Sequence, residues 1–213
     1  MATGREAGKA RGVGRSESQE TCPGAHSRHR SSREDPGGAL ASSLFVLGGA
    51  RSGKSRFAID SQASRARVTF LATAHAGDAD MAARIARHCA ERPPHWSTVE
   101  EPYDLVPRLR ACCADADAVV VDCLTLWVSN LMLRGDPDGW IVKQAEELAA
   151  ALALELADVT VVSNEVGEGV HPPTEDGRRF RDLLGTVNQR VAAAAERVVL
   201  MVAGLPVPVK VPR

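Results

Sequence analysis

Gly48-Gly49-Ala50-Arg51-Ser52-Gly53-Lys54-Ser55 has the G-x-x-x-x-G-K-[ST] spacing of a phosphate-binding loop. The apolar run Leu44-Phe45-Val46-Leu47 precedes it, and a helical Arg56-Phe57-Ala58-Ile59-Asp60 segment follows. In that context backbone N–H groups wrap phosphate oxygens, and the helix turns its positive dipole end toward them. Lys54 would reach the β- and γ-phosphates, and the Ser55 hydroxyl would ligate Mg²⁺. These eight residues predict binding of a nucleoside triphosphate.

Two further strand ends carry polar groups. Ala118-Val119-Val120-Val121-Asp122 is an apolar run closed by a carboxylate. Beside a phosphate loop, Asp122 is a candidate to hold Mg²⁺ directly or through water. Its alternative role is to cap the next helix, Leu124–Leu133. Val161-Val162-Ser163-Asn164-Glu165-Val166-Gly167 repeats the pattern. In open α/β sheets ligands bind at such ends, so Asn164 and Glu165 are expected in the same crevice. Helix capping is the alternative for Asn164.

A third group lies on a basic helix face. Arg84, His88 and Arg92 recur every four residues, so one face of a helix carries all three. Flanking cations favour the neutral imidazole, whose free nitrogen is the form that attacks phosphorus. The same cations could clamp the anion under attack. An ordinary surface helix is the competing reading. His75 follows a strand and could line the crevice. His95, after Pro93-Pro94 and beside Trp96, is expected to pack.

The elements that must position these residues begin near Leu44. Candidate strands are Leu44–Leu47, Val68–Ala72, Ala118–Asp122, Val159–Ser163 and Val198–Ala203, each too uniformly apolar to leave one face in water. Between them run helical patterns at Lys54–Ala63, Asp80–Glu91, Pro102–Ala114, Gly139–Leu156 and Thr174–Ala195. This alternation predicts a three-layer α/β fold with a mostly parallel central sheet. Val207-Pro208-Val209-Lys210 is expected as a last edge strand, where proline is tolerated. Residues 1–43 are rich in Gly, Ser, Arg and Glu with almost no large apolar side chains. They predict a disordered N-terminal extension ahead of a 44–213 domain.

Composition narrows the classes. The 213 residues carry a net charge of −1, which gives no basic footprint for nucleic acid or an anionic membrane. No apolar run reaches the ~20 residues of a membrane span. Five cysteines (Cys22, Cys89, Cys112, Cys113, Cys123) without C-x-x-C spacing predict neither a disulfide framework nor a zinc site, and point to a reducing cytoplasm.

The motifs taken together resemble a family. The blocks are Gly48 to Arg56; Asp80 to Ile85 with His88, Arg92-Pro93, Trp96 and Thr98-Val99-Glu100; Asp122 to Leu131; Asn164 to Gly167; Gly177 to Asp182; Val187-Asn188-Gln189; and Val202 to Pro206. In this order and spacing the chain, from about Leu44 to Lys210, is similar to the bifunctional adenosylcobinamide kinase/adenosylcobinamide-phosphate guanylyltransferases of cobalamin biosynthesis.

The resemblance implies a RecA-like P-loop fold and a homotrimer. It implies that ATP or GTP phosphorylates adenosylcobinamide. GTP would then guanylylate a histidine, here His88, with release of pyrophosphate. The GMP would pass to adenosylcobinamide phosphate, giving adenosylcobinamide-GDP. It also implies nucleotide contacts from the P-loop residues, from Thr73, Ala74 and His75, from Cys89, Ala90, Glu91 and Arg92, and from Asp122. Glu100 would read the guanine edge or ribose, its alternative being a solvated acidic pair with Glu101. The kinase base would be Glu165 or Asp122. The loop Val170-His171-Pro172-Pro173-Thr174-Glu175-Asp176 departs from the family pattern, which usually has one proline and less acid here. The competing function is a P-loop NTPase that acts as a switch or assembly protein with no small-molecule acceptor.

Overall fold

The computed structural model describes residues 42–74, 89, 92–154 and 156–212. They form one α/β unit. Its strands are β1 (Ser43–Gly48), β2 (Val68–Ala72), β3 (Ser97–Glu100), β4 (Ala118–Asp122), β5 (Asp158–Val162), β6 (Arg197–Val202) and β7 (Leu205–Lys210). Its helices are α1 (Lys54–Ser61), α2 (Leu105–Asp115), α3 (Leu124–Arg134), α4 (Asp138–Leu152) and α5 (Glu175–Ala194). The helix expected over Asp80–Glu91 lies outside the described residues, Cys89 apart.

The strands join in one sheet of order β3-β2-β4-β5-β1-β6-β7. β1 to β6 pair in parallel, and β7 runs antiparallel to β6. Inner parallel strands must be covered on both faces, and β1, β2, β4 and β5 are buried accordingly, whereas β6, expected to be covered on both faces, is exposed at Arg197 and Val202. The larger core joins Phe45, Leu71, Val119, Val121 and Val161 to Leu109, Trp127, Leu131, Leu148 and Val187 from α2 to α5. On the opposite face Val68, Phe70, Val120 and Val162 pack with Ala58 and Ile59 of α1 and with Trp96. β7 closes the sheet with Pro206 and Pro208 on an edge strand, where a missing N–H does least harm.

Boundaries shift from expectation where a side chain redirects the backbone. α2 begins at Leu105 rather than Pro102, because the Glu101 carboxylate accepts the Tyr103 and Asp104 amides and holds a turn there. α4 stops at Leu152, four residues short of expectation. α5 starts as expected, with Thr174 as its cap: Thr174 Oγ1 accepts the Gly177 amide at 3.1 Å. β3 was not foreseen as a strand. It has four residues and one partly buried apolar side chain, Val99, so it lacks the continuous apolar signature of its neighbours.

Buried polar bonds fix the helices at the strand ends. Ser163 Oγ donates to Asn188 Oδ1 at 2.7 Å, and Asn188 Nδ2 donates to the Asn164 carbonyl at 3.0 Å. Replacing Asn188 with alanine strands both partners in a buried site. The expected loss is ~1–3 kcal/mol of stability, read as a lower urea midpoint at unchanged slope.

Candidate active site

The P-loop leaves the sheet at Gly48, and its shape depends on glycine there. Gly48 has φ +151, and a Cβ would sit 2.6 Å from the Met201 carbonyl oxygen and 2.6 Å from Ser52 Oγ. The loop is tied on two sides. The Glu165 amide donates to the Gly48 carbonyl at 3.1 Å, and the Gly204 amide donates to the Ser52 carbonyl at 3.1 Å. Gly53, at φ +94, turns the chain into α1. The first-turn amides of α1 have no partner within the helix, which leaves them aimed at any bound anion. Gly49, Ala50 and Arg51 form the exposed crest, with Arg51 at φ 57. Lys54 is buried and its Nζ arches back to the Gly49 carbonyl at 2.6 Å. Ser55 is half-buried on the first turn. The Ser52 hydroxyl is buried without a hydrogen-bond partner.

Asp122 ends β4 in register with Val162 of β5, which pairs in turn with Val46 of β1. Two strand spacings, about 10 Å, therefore separate its backbone from that of β1. Its carboxylate accepts no hydrogen bond among the described residues. The helix-capping alternative does not hold, since Cys123 is the N-cap residue of α3 and no side-chain cap bond forms. Cys123 is no nucleophile: removal from water, then the Asp122 charge, push its thiol up to about 12. The capping alternative for Asn164 fails as well, because the next helix begins eleven residues later at Glu175. The Asn164 amide instead donates to Thr125 Oγ1 at 2.8 Å, tying the end of β5 to the first turn of α3. Glu165 stands at the mouth of the P-loop, with Oε1 accepting the Gly167 amide at 2.8 Å.

The far side of the crevice is built around Arg92. Its guanidinium carbon lies 3.5 Å from the centre of the Phe70 ring, and Nη1 donates to Thr98 Oγ1 at 3.1 Å. Arg92 Nε is buried without a hydrogen-bond partner among the described residues. Partial burial lowers its pKa, against the opposing pull of Cys89, Asp122 and Glu100, and the group stays cationic. Glu100 is exposed at the end of β3, beside Ala72 of β2. The carboxylate of the adjacent Glu101 accepts the Tyr103 and Asp104 amides at the start of α2.

Thr73 is fully buried, and its hydroxyl donates to the Cys123 carbonyl at 2.7 Å and accepts the Cys123 amide at 2.8 Å. Asn130 of α3 holds the same corner by donating to the Thr73 and Pro102 carbonyls. Thr73 thus sets the position of β4's end, while Ala74 is half-buried beside it. Cys89 is exposed. His75, His88, Ala90 and Glu91 lie outside the described residues. The roles of Thr125, Asn130 and Phe70 were not read from the sequence. The first two fall in the Asp122–Leu131 block but carried no chemistry by type, and Phe70 sits in an apolar run with no distinguishing signal.

The sequence profile of the cobinamide kinase / cobinamide phosphate guanyltransferase family matches residues 44–209. The chain belongs to that family. It is 47% identical over 170 residues to the bifunctional adenosylcobalamin biosynthesis protein CobP of Pseudomonas aeruginosa, covering 78% of this chain and 96% of that one. It is 40% identical over 179 residues to the corresponding protein CobU of Salmonella typhimurium, covering 78% and 99%. Among solved structures it resembles an ATPase from the type III secretion system of pathogenic bacteria, with a TM-score of 0.50 and 11% identity. That match covers 79% of this chain but only 57% of the ATPase, and at this identity it speaks for the P-loop fold alone. Membership in a kinase and guanyltransferase family sets aside the switch or assembly reading.

The glycine requirement is testable by contrast. Gly48→Ala is expected to lower stability by ~1–3 kcal/mol. Gly49→Ala, whose Cβ would meet nothing within 4 Å, should change it by less than ~0.5 kcal/mol. Thermal melts of both variants without nucleotide make the comparison.

Proposed function

We propose that the chain phosphorylates adenosylcobinamide with ATP or GTP, and then moves GMP from GTP through His88 to adenosylcobinamide phosphate, releasing pyrophosphate. The observation that carries this is family membership over residues 44–209, together with a P-loop and Asp122 at the C-terminal edge of the sheet and Arg92 packed over Phe70 of β2.

In the kinase step the P-loop amides and Lys54 hold the triphosphate. The acceptor hydroxyl attacks the γ-phosphorus, the bond to the β-phosphate oxygen breaks, and a base takes the hydroxyl proton. Glu165 is better placed for that proton than Asp122, since its own amide is bonded to Gly48 while Asp122 stands one strand further away. In the second step a neutral imidazole nitrogen of His88 attacks the α-phosphorus. A P–N bond forms as pyrophosphate leaves, and a phosphate oxygen of adenosylcobinamide phosphate later displaces the histidine. Arg92, four positions after His88 in sequence, is a fixed cation with an unspent Nε donor, suited to a phosphate or ribose oxygen. Ala74, His75, Cys89, Ala90 and Glu91 complete the proposed nucleotide contacts, with Glu100 toward the base.

The residues present fit Mg²⁺. The Ser55 hydroxyl and the Asp122 carboxylate are not engaged in side-chain hydrogen bonds among the described residues. Mg²⁺ usually keeps several waters and takes its remaining ligands from one or two protein groups and substrate phosphates. When bound, the ion would neutralise phosphate charge.

We also read the enzyme as a cytoplasmic homotrimer, with residues 1–43 as a disordered extension. No described helix is long and apolar enough to cross a membrane. Leu205, Val207, Val209 and Val211 are all exposed along the β7 edge, a surface suited to a subunit contact. Wild type should sediment at the mass of three chains, and a Val207→Asp, Val209→Asp double variant at that of one.

The decisive test is incubation with α-labelled GTP in the absence of corrinoid. Label retained in base and lost in acid identifies a phosphoramidate, and His88→Ala should abolish it. Undiminished label on the variant would sink the histidine mechanism.

A further inference from the structure

A cavity of about 330 Å³ opens between α3 and α5, away from the P-loop. Its walls are Ser129, Met132 and Leu133 of α3 and Asp176, Arg179 and Phe180 of α5. Both helices are anchored to the strand ends, α3 through Thr125 and α5 through Asn188. At 1.5 Å per residue, Leu133 lies about 12 Å along α3 from Thr125, and Phe180 about 12 Å along α5 from Asn188. The cavity is thus displaced by that distance from the edge where phosphorus reacts.

Its chemistry is mixed and close to neutral. Met132, Leu133 and Phe180 are apolar, and Leu133 is 84% exposed, an unusual solvent-facing leucine at a cavity rim. Arg179 is held in place, with Nε donating to Asp138 Oδ1 at 2.7 Å and Nη2 to the Asp136 carbonyl at 3.1 Å, so its charge is already balanced. Asp176 adds a carboxylate that accepts no hydrogen bond among the described residues. Such a wall repels a triphosphate and suits the uncharged rim of a ligand with apolar edges and amide groups: Asp176 accepts amide N–H, while Ser129 and Arg179 donate to amide carbonyls.

We propose that this cavity receives one edge of the corrin macrocycle of adenosylcobinamide, which rests on the function proposed above. The reacting hydroxyl of that substrate is carried on a side chain hung from the macrocycle. The ring itself cannot enter the P-loop and must be held at a distance from it. The cavity is too small to enclose the ring, so it grips an amide-bearing rim and leaves the remainder in solvent or against a neighbouring subunit. The two-proline, acidic loop that departs from the family pattern leads directly into this wall, with Pro172 packed against Gly177.

The test compares wild type with Leu133→Glu and Phe180→Ala in two assays. The KM for adenosylcobinamide in the kinase reaction should rise about tenfold or more in each variant. The KM for nucleotide and the extent of self-guanylylation by GTP alone should not change, and the latter also reports that the variants are folded. An unchanged corrinoid KM in both variants overturns the cavity assignment. A wild type that labels itself with GTP yet does not phosphorylate adenosylcobinamide overturns the underlying function instead.

Discussion

Parallel pairing from β3 across to β6 sends the C-terminal end of six strands to one edge of the sheet. The site depends on that alignment. Val46, Ala72, Glu100, Asp122 and Val162 are far apart in sequence, yet register places each at the same level, with Gly48 two residues beyond Val46. The four buried strands β1, β2, β4 and β5 require cover on both faces, and the helices that supply it start where the strands end. Cover and chemistry therefore share the same turns. The phosphate loop ends in the first residues of α1, and the first residues of α3 closely follow Asp122.

Those turns are held by a few polar bonds, most of them partly buried. Thr73 exchanges two hydrogen bonds with the backbone of Cys123, Asn130 spans the ends of β2 and β3, and Asn188 joins α5 to β5. Each satisfies backbone groups that would otherwise be stranded at an irregular strand end. The charged groups can then stay uncommitted. The Asp122 carboxylate and Arg92 Nε are left without hydrogen-bond partners among the described residues.

The sequence was most informative where chemistry or burial is local. The five apolar strands and the helix that follows the phosphate-loop motif were readable because each signal lies within a few consecutive residues. The proline-bearing final strand was readable for the same reason. β3 escaped because four largely exposed residues at an edge need not be apolar. The roles of Thr73, Asn130 and Phe70 escaped because their partners lie 22 to 57 positions away. Two acidic neighbours, Glu100 and Glu101, look equivalent in sequence. Only the turn before α2 separates a structural carboxylate from an exposed one. The α3–α5 cavity is likewise a product of two helices meeting, and neither helix alone announces it.

β1 is the first strand of the domain to be made, but its two neighbours are the last parallel strands. Ser43 pairs opposite Val159, and Gly48 opposite Met201. Loop closure over more than a hundred residues precedes those contacts, so they form late. On the ribosome, the phosphate loop must wait for β6 before Met201 can fix Gly48 and Gly204 can hold Ser52. Nucleotide capture is thereby coupled to completion of the chain, and a prematurely ended product would lack the far wall of its own phosphate cradle.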